Sequence, residues 1–348
     1  MQYKEADGLA EGVEIFENTF RHQIQSDGEI TIQENFFRDK FGDKEGEWPV
    51  EPDRYRLLWM PACPHAHKVV IARRLLGLDR VISLGTTGIY RDPKGWVFTE
   101  DPGEKDPVLG IHYLKELYDR DTPGGDYKER PTVPILADTF TGRGVNNDHF
   151  WIPVYFETVW KPYHKKSAPE LYPVHLREEI DQWNQFIFHR INNGVYDIGF
   201  ARSQDAYEAA YHLFFEAMDV LDKRLEDRRF LFGDYITDSD IRLYPTLARF
   251  DVVYHQVFKA NKKRLTDYKN LWSYARDLYN VPEIKESTYF DIYKKSYQLS
   301  PHLKPLWGNV HSILAKGPDV SGWELQAERE FLSRNPKEKF LLQEEQHV

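Results

Sequence analysis

The amino-acid sequence predicts an α/β domain followed by an all-helical domain. Residues 56–84 have the pattern of strand, turn, helix and strand, a βαβ unit that implies parallel strands and a right-handed crossover. From about residue 165, apolar residues recur at helical spacing and few segments have the pattern of a strand. The length of 348 residues is also sufficient for two domains.

The chain divides into four predicted segments. Residues 1–50 are polar and charged without a sustained period, so we expect an extended arm packed on the body. The α/β domain is expected at 51–160 and the helical domain at 165–300. A C-terminal extension is expected at 301–348.

The first domain begins with a short apolar run at 56–60, which suits a buried strand. A helix then opens at Cys63-Pro64, because proline is well placed in a first helical turn, and Gly77 closes it. Residues 81–84 read as the second strand. The cysteine therefore lies in the turn between a strand and a helix.

The second domain contains three clear helical patterns. Residues 176–191 carry apolar residues at helical spacing, and the pattern is expected to stop at 192–194, Asn-Asn-Gly. A second helix begins at Ser203. A third begins at Thr237, where Asp240 three positions later completes a capping box.

Composition narrows the class of partner. The formal charge of -10 disfavours nucleic acid and anionic membranes as main partners, since both would be repelled. No run of 18 apolar residues and no leader pattern is found, so we expect a cytoplasmic protein. A single cysteine allows neither an internal disulfide nor a thiolate zinc site, and we expect no metal.

Cys63 has the setting of a reactive thiol. A helix N-terminus favours the thiolate, so its pKa is expected to be lowered, and His65, His67 and Lys68 would add positive charge. Because no second cysteine exists, any redox partner must be an external thiol. The alternative is a buried structural cysteine.

Several segments, in this order, resemble the glutathionyl-hydroquinone reductases, the xi class of glutathione transferases. The resemblance covers about residues 30–310. The matching segments are Ala62-Cys63-Pro64-x-Ala66-His67, Trp96-Val97-Phe98, Tyr113-Leu114-x-Glu116-Leu117-Tyr118, Thr132-Val133-Pro134-x-Leu136, Val145-Asn146-Asn147, Asn192-Asn193-Gly194-Val195-Tyr196-x-x-Gly199-Phe200-Ala201, and Asp240-Ile241-Arg242-Leu243 through Arg249-Phe250-Asp251.

The resemblance implies a thioredoxin-like N-terminal domain, an all-helical glutathione-transferase C-terminal domain and a cleft between them. It implies that Cys63 attacks the sulfur of a glutathionyl-hydroquinone and that a second thiol resolves the mixed disulfide. Val133 and a cis Pro134 would lie beside the thiol, and Trp96 is a further candidate for binding the thiol cosubstrate. A homodimer, glutathione as cosubstrate and an aromatic, quinone-derived acceptor are also implied.

The sequence departs from the family pattern around the expected glutathione. His65 replaces a tryptophan, Lys68 an arginine, and Asp148-His149 the pair Glu-Ser. Lys115 stands where the family has arginine and keeps only the charge. Two hypotheses follow. Either Asp148 and Lys115 hold the two ends of the γ-glutamyl group with His65 and His149 beside them, or the cosubstrate is a different small thiol.

The resemblance also implies tyrosines that hydrogen-bond the hydroquinone. Tyr196 and Tyr254 match family positions. Tyr289 is the preferred candidate for a third, with Tyr293 and Tyr297 in reserve. Besides the leading hypothesis of a cysteine-dependent reductase, a non-catalytic binding protein of the same fold stays open. A conventional transferase that activates glutathione with a hydroxyl is disfavoured.

Overall fold

The structure is a computed structural model that describes residues 23–92, 94–300, 303 and 313–343. The first part of the predicted arm, at 1–22, and residues 301–302, 304–312 and 344–348 of the predicted extension therefore lie outside the described residues. The described part of the arm packs on the body: Phe37 and Phe41 are buried, and the Phe37 amide donates to Asn147 Oδ1 at 2.8 Å.

The elements of the N-terminal half are β1 Tyr55–Trp59, α1 Pro64–Leu75, β2 Ile82–Thr86, the small ladder of β3 Arg91–Asp92 with β4 Gly95–Trp96, α2 Leu114–Arg120, β5 Ile135–Asp138 and β6 Arg143–Asn146. Four of the strands form one sheet with the order β2-β1-β5-β6. Strand β1 pairs in parallel with β2 and antiparallel with β5, and β5 pairs antiparallel with β6. The predicted βαβ unit is confirmed.

The C-terminal half is helical. After α3 Ile152–Glu157, which lies in the predicted α/β range of 51–160, the elements of the C-terminal half are α4 Arg177–Ile187, a wide π-helical turn Phe188–Asn192, α5 Gly194–Phe200, α6 Gln204–Arg224, α7 Asp238–Arg249, a second π-helical turn Phe250–Tyr254, α8 His255–Val257, α9 Lys269–Tyr279, α10 Pro282–Lys285 and α11 Phe290–Leu299. Short 3-10 turns occur at Leu78–Arg80, Pro102–Glu104, Lys161–Tyr163, Val174–Leu176, Leu265–Asp267, Ser321–Glu324 and Glu330–Leu332. Within the described residues, no helix is both long and apolar enough to cross a membrane.

Helix α1 is the element that joins the two halves. Almost all of its side chains are buried, because α3 packs against it within the N-terminal half and α7 packs against it from the helical half. Pro64 occupies its first position, as predicted, and Gly77 follows it with a left-handed φ of 72°. The turn that carries Cys63 is therefore fixed from both halves.

The predicted capping box of α7 is present, and it is buried. Asp240 accepts hydrogen bonds from the Thr237 amide at 2.7 Å and the Thr237 hydroxyl at 2.8 Å. Its other oxygen accepts from the Leu231 amide and the Tyr274 hydroxyl. These contacts fix the entry of the helix that packs against α1.

The helical segment that contains α4 ends where predicted, at residues 192–194: its π-helical turn ends at Asn192, and a new helix, α5, begins at Gly194. The short connection keeps a helical backbone at Asn193, so the two segments follow one another without a loop. The Asn192 side chain donates to the Arg242 carbonyl at 3.2 Å and to Thr246 Oγ1 at 2.8 Å. This asparagine therefore ties two helices together, a role that the local pattern of Asn-Asn-Gly does not reveal.

Candidate active site

Cys63 lies at the N-terminal end of α1 in extended conformation and is partly buried. Its Sγ lies 3.6 Å from the Val133 carbonyl oxygen, and the Val133-Pro134 peptide is cis. The structure thus brings together the strand-to-helix turn and the Val-Pro turn, 70 residues apart in sequence.

A cavity between the two halves opens beside the thiol. Three parts of the chain line it. They are Cys63, His65, Arg91, Trp96, Arg130, Thr132, Val133 and His149 of the N-terminal half; Asn193, Tyr196, Asp197, Phe200, Ser296 and Tyr297 of the helical half; and Gln23, Ile30, Ile32, Gln33 and Asn35 of the arm, with Met60 and Leu303. Five predicted binding residues, His65, Trp96, Val133, His149 and Tyr196, therefore share one cavity with Cys63.

The electrostatics of Cys63 differ from the prediction. The backbone amides of Ala66 and His65 and the guanidinium groups of Arg249 and Arg130 all act to lower the thiol pKa. Burial has the larger effect and raises the pKa of Cys63 above its ordinary value. The predicted net lowering is therefore wrong for this structure, although the groups that favour the thiolate are present.

The neighbouring basic residues are also weaker sources of charge than predicted. Burial lowers the pKa of His65 and of His67 well below the ordinary value, so both rings are neutral near pH 7. Burial lowers the pKa of Lys68 to about 7. The fixed positive charges that act on the thiol belong instead to Arg249 and Arg130. Arg249 lies in a segment that resembles the family but had no predicted role, and Arg130 lies outside those segments.

The ring of His65 stacks on that of His149. Their centroids are 4.3 Å apart with an interplanar angle of 27°, and the Tyr196 ring lies 6.0 Å from His65. Burial lowers the pKa of His149 well below its ordinary value. His149 Nδ1 is buried and has no hydrogen-bond partner among the described residues. This part of the cavity wall is therefore a neutral imidazole pair.

Two predicted ligands for the ends of the thiol cosubstrate do not reach the cavity. Asp148 Oδ1 accepts from the amides of Phe150 at 3.0 Å and Trp151 at 3.4 Å, so this carboxylate caps a local turn. Lys115 Nζ lies 2.5 Å from Asp119 Oδ1 and 3.3 Å from a carboxylate oxygen of Asp126. Pro134 also does not line the cavity, although its peptide shapes the turn.

The cations that do line the cavity are Arg91 and Arg130. The Arg91 guanidinium lies 5.2 Å from the centre of the Trp96 ring, and burial together with Arg130 lowers the Arg91 pKa to about 9. Arg130 lies three residues before Val133 in the same loop, so its position in sequence was a usable signal. Arg91 is brought in by the small β3-β4 ladder and had no such signal.

The tyrosines form a second cluster. Tyr196 Oη and Tyr297 Oη are 2.5 Å apart, and both residues line the cavity. Tyr254 is fully buried behind them, with its ring 6.0 Å from Tyr196 and 5.8 Å from Tyr297. Burial raises the pKa of Tyr196 and Tyr297, so both keep their protons near pH 7.

The choice of Tyr289 as the third tyrosine is corrected. Tyr289 is 37% exposed at the start of α11 and is absent from the cavity lining. Tyr293 is fully buried against Arg249. The three tyrosines are four residues apart and share one helix face, and the path of α11 through the fold brings only Tyr297 to the cavity.

The described residues contain no group of three His, Cys, Asp or Glu side chains placed to hold a metal ion. The side of the cavity that belongs to the N-terminal half includes neutral rings, backbone and two arginines.

Comparison with known proteins assigns the family. Residues 204–277 match the family model described as the glutathione S-transferase C-terminal domain. The chain is 38% identical over 249 residues to the glutathionyl-hydroquinone reductase PcpF of Sphingobium chlorophenolicum, covering 71% of this chain and 77% of that protein. It is 39% identical over 254 residues to the glutathionyl-hydroquinone reductase YqjG of Escherichia coli, covering 72% and 76%.

Solved structures of similar proteins support the same family assignment. The glutathione-bound structure of YqjG has 34% identity and a TM-score of 0.77, covering 84% of this chain and 96% of that one. A xi-class transferase from Natrialba magadii has 37% identity and a TM-score of 0.78, covering 85% and 89%. The predicted thioredoxin-like half followed by an all-helical glutathione-transferase half is confirmed. The chain therefore belongs to the xi class of glutathione transferases, the family of the glutathionyl-hydroquinone reductases, and is an enzyme of that superfamily.

Proposed function

We propose that the chain is a thiol-dependent reductase that cleaves glutathionyl-hydroquinone-type conjugates through a mixed disulfide on Cys63. The observation that carries the proposal is the single cavity that contains Cys63 Sγ, the Val133 carbonyl 3.6 Å from it, and the tyrosine pair Tyr196 and Tyr297. Two relatives named glutathionyl-hydroquinone reductases support it.

The chemistry needs one protein sulfur. The Cys63 thiolate attacks the conjugate sulfur, the sulfur-to-carbon bond breaks, and its electron pair passes to the aromatic ring, which takes up a proton and leaves as the hydroquinone. A second thiol then attacks the mixed disulfide, regenerates Cys63 and leaves as a disulfide of two small thiols. The two thiol sulfurs are oxidised and the ring carbon is reduced, so electrons balance without a further cofactor.

The tyrosine pair binds the acceptor in this proposal. One hydroxyl donates to the other across 2.5 Å, which leaves the second hydroxyl a proton to donate to an aromatic oxygen in the cavity. Because burial keeps both hydroxyls protonated, they act as donors and not as bases. Tyr254 packs behind them and holds their rings.

The thiol cosubstrate is bound from the N-terminal half. The Val133 backbone pairs with its cysteinyl part, Trp96 and His65 with His149 form the wall, and Arg91 and Arg130 receive carboxylates. Glutathione fits this arrangement, and the relative YqjG is known with glutathione bound.

A second candidate is the same reaction with a different small thiol, one that lacks the free α-ammonium of glutathione. A specific observation favours it. Asp148 is used as a local cap, and the one carboxylate that lines the described cavity is Asp197, which belongs to the helical half beside Tyr196. The described wall of the N-terminal half therefore presents imidazoles and arginines but no carboxylate for an ammonium group.

One pair of thiols separates the candidates: glutathione, and glutathione without its α-amino group. If the ammonium is held, its removal lowers kcat/KM for the thiol by roughly tenfold or more, as expected for a lost charged hydrogen bond. If the second candidate is right, removal changes kcat/KM by less than about twofold or raises it. Asp197→Asn, assayed with both thiols, shows whether the carboxylate of the helical half serves instead.

Cys63→Ser tests the mechanism itself. We expect loss of turnover with an unchanged far-ultraviolet circular dichroism spectrum, because the serine hydroxyl cannot form the mixed disulfide. Intact-mass spectrometry after incubation with conjugate should show one thiol adduct on the parent and none on the variant. Undiminished turnover by Cys63→Ser would reject the mechanism, and an inert parent would favour the non-catalytic alternative.

A homodimer formed through the helical half and a cytoplasmic location complete the proposal. The homodimer is implied by the family resemblance, and the cytoplasmic location rests on the single cysteine, which suits a reducing compartment. Sedimentation velocity on the full chain tests the first, and fractionation of cells that express the untagged chain tests the second.

A further inference from the structure

We propose that Arg249, at the end of α7 in the helical half, is a positioning residue for Cys63. Its guanidinium holds the turn that presents the thiol and places a buried positive charge behind it. The inference rests on the proposed function, since it gives Arg249 a role through the Cys63 sulfur.

The guanidinium bonds the two residues directly before the cysteine. Arg249 Nε donates to the Ala62 carbonyl at 2.8 Å, and Nη2 donates to the Pro61 carbonyl at 3.0 Å. The Cys63 amide donates to the Met60 carbonyl at 2.9 Å, which closes the same turn. A planar fork that spans two consecutive carbonyls fixes the backbone from which the Sγ projects, and a lysine has no such fork.

The remaining nitrogen ties the turn to the helices on either side. Arg249 Nη1 donates to the Pro245 carbonyl of α7 at 2.8 Å and lies 3.2 Å from His67 Nδ1 on α1. Arginine has no acceptor, so Nδ1 accepts, and the neutral ring carries its hydrogen on Nε2, which faces Ser287 Oγ at 3.1 Å. His67 therefore bridges Arg249 and Ser287 by hydrogen bonds and is not available as a base.

Among the described residues, the charge of Arg249 has no counter-ion. The side chain is fully buried, and none of the ion pairs among the described residues includes it. Its guanidinium carbon lies 3.7 Å from the centre of the Tyr293 ring. A buried cation without a carboxylate is costly, and a thiolate that forms nearby reduces that cost. Arg249 is one of the two cations that act to lower the pKa of Cys63.

The test uses the fact that the chain has one cysteine, so alkylation reports on Cys63 alone. The rate of iodoacetamide alkylation against pH gives the thiol pKa, and steady-state kinetics give kcat and KM separately. We expect Arg249→Met to shift the alkylation profile upward by about one pH unit, because a buried charge is lost. We expect its kcat to fall at least about tenfold with a smaller change in KM for the thiol, because the turn loosens.

Arg249→Lys separates the two parts of the role. It keeps the charge but not the fork, so its alkylation profile should stay near the parent while kcat falls. Arg229→Lys is the matched control: Arg229 is equally buried in the helical half, donates to Asp277 at 2.7 and 3.1 Å, and is absent from the cavity lining. It should cost stability and leave the alkylation profile and kcat per folded molecule unchanged.

A parental alkylation profile and kcat in folded Arg249→Met would overturn the inference. If Arg249→Met does not fold, parental kcat in Arg249→Lys would overturn the positioning part, and a reduced kcat with a parental profile would support it. Failure of the proposed function is distinguishable, because turnover retained by Cys63→Ser would reject the mechanism whatever the alkylation profile of the Arg249 variants.

Discussion

The hydroxyl pair of Tyr196 and Tyr297 allows a direct test of how the acceptor is held. Tyr297→Phe removes one oxygen from a partly buried pair whose atoms are 2.5 Å apart, and it leaves a single hydroxyl to bind the acceptor. A hydrogen bond to a group that gains charge in the reaction is worth about 1.5–3 kcal/mol. Since about 1.36 kcal/mol is tenfold in rate, we expect kcat/KM for the conjugate to fall roughly 10- to 150-fold.

The assay is chromatographic measurement of hydroquinone released from a glutathionyl-hydroquinone at saturating thiol. Tyr289→Phe is the control, because it removes the same atom from the same face of α11 but lies 37% exposed and outside the cavity lining. We expect this control to stay within about twofold of the parent. A kcat/KM in Tyr297→Phe equal to that of the parent, or an equal loss of kcat/KM in Tyr289→Phe, would refute the reasoning that the path of α11 selects Tyr297.

Two further predictions concern α5, which carries the acceptor side of the cavity. A Cβ on Gly199 would lie 2.3 Å from the Phe258 ring, whereas one on Gly194 would meet atoms only at 3.5 Å and beyond. In urea unfolding we therefore expect Gly199→Ala to be destabilised by about 1–3 kcal/mol and Gly194→Ala to be unchanged or stabilised by up to about 1 kcal/mol. Equal effects of the two substitutions would contradict the packing. Burial raises the pKa of Asp197 to about 6, above its unfolded value near 4, so the native state holds this proton more tightly and stability is lost as pH rises through about 4 to 6. Asp197→Asn should therefore have a free energy of unfolding roughly 1–2 kcal/mol above the parent at pH 8 and no such gain in acid, and a gain independent of pH would reject the assignment.

Local features of the sequence were sufficient for much of the fold. The apolar run before Cys63, Pro64 at the first helical position and Gly77 after the helix act over a few residues, and the βαβ unit they predict is present. The Thr237 and Asp240 capping box is equally local. The role of Asn192 was missed, because its side chain bonds a carbonyl and a hydroxyl on α7, 50 and 54 residues later in the chain.

The candidate site likewise has residues that the sequence was sufficient to select and residues whose role depends on the tertiary structure. The family resemblance was sufficient to select Cys63, Val133 and Tyr196, which the structure brings to one cavity. It was not sufficient for Asp148 and Lys115, because a carboxylate or an ammonium group can be used by its own neighbours, and only the coordinates show that both are.

The sequence by itself determined that a lone thiol sits at the start of a helix and that any disulfide partner must come from outside the chain, because both follow from composition and short-range pattern. The tertiary structure decided what surrounds that thiol. Arg249 reaches Ala62 across 187 residues and Tyr297 reaches Tyr196 across 101. Contacts at such separations depend on how two halves pack, and burial, which raises the pKa of Cys63, arises only when they do.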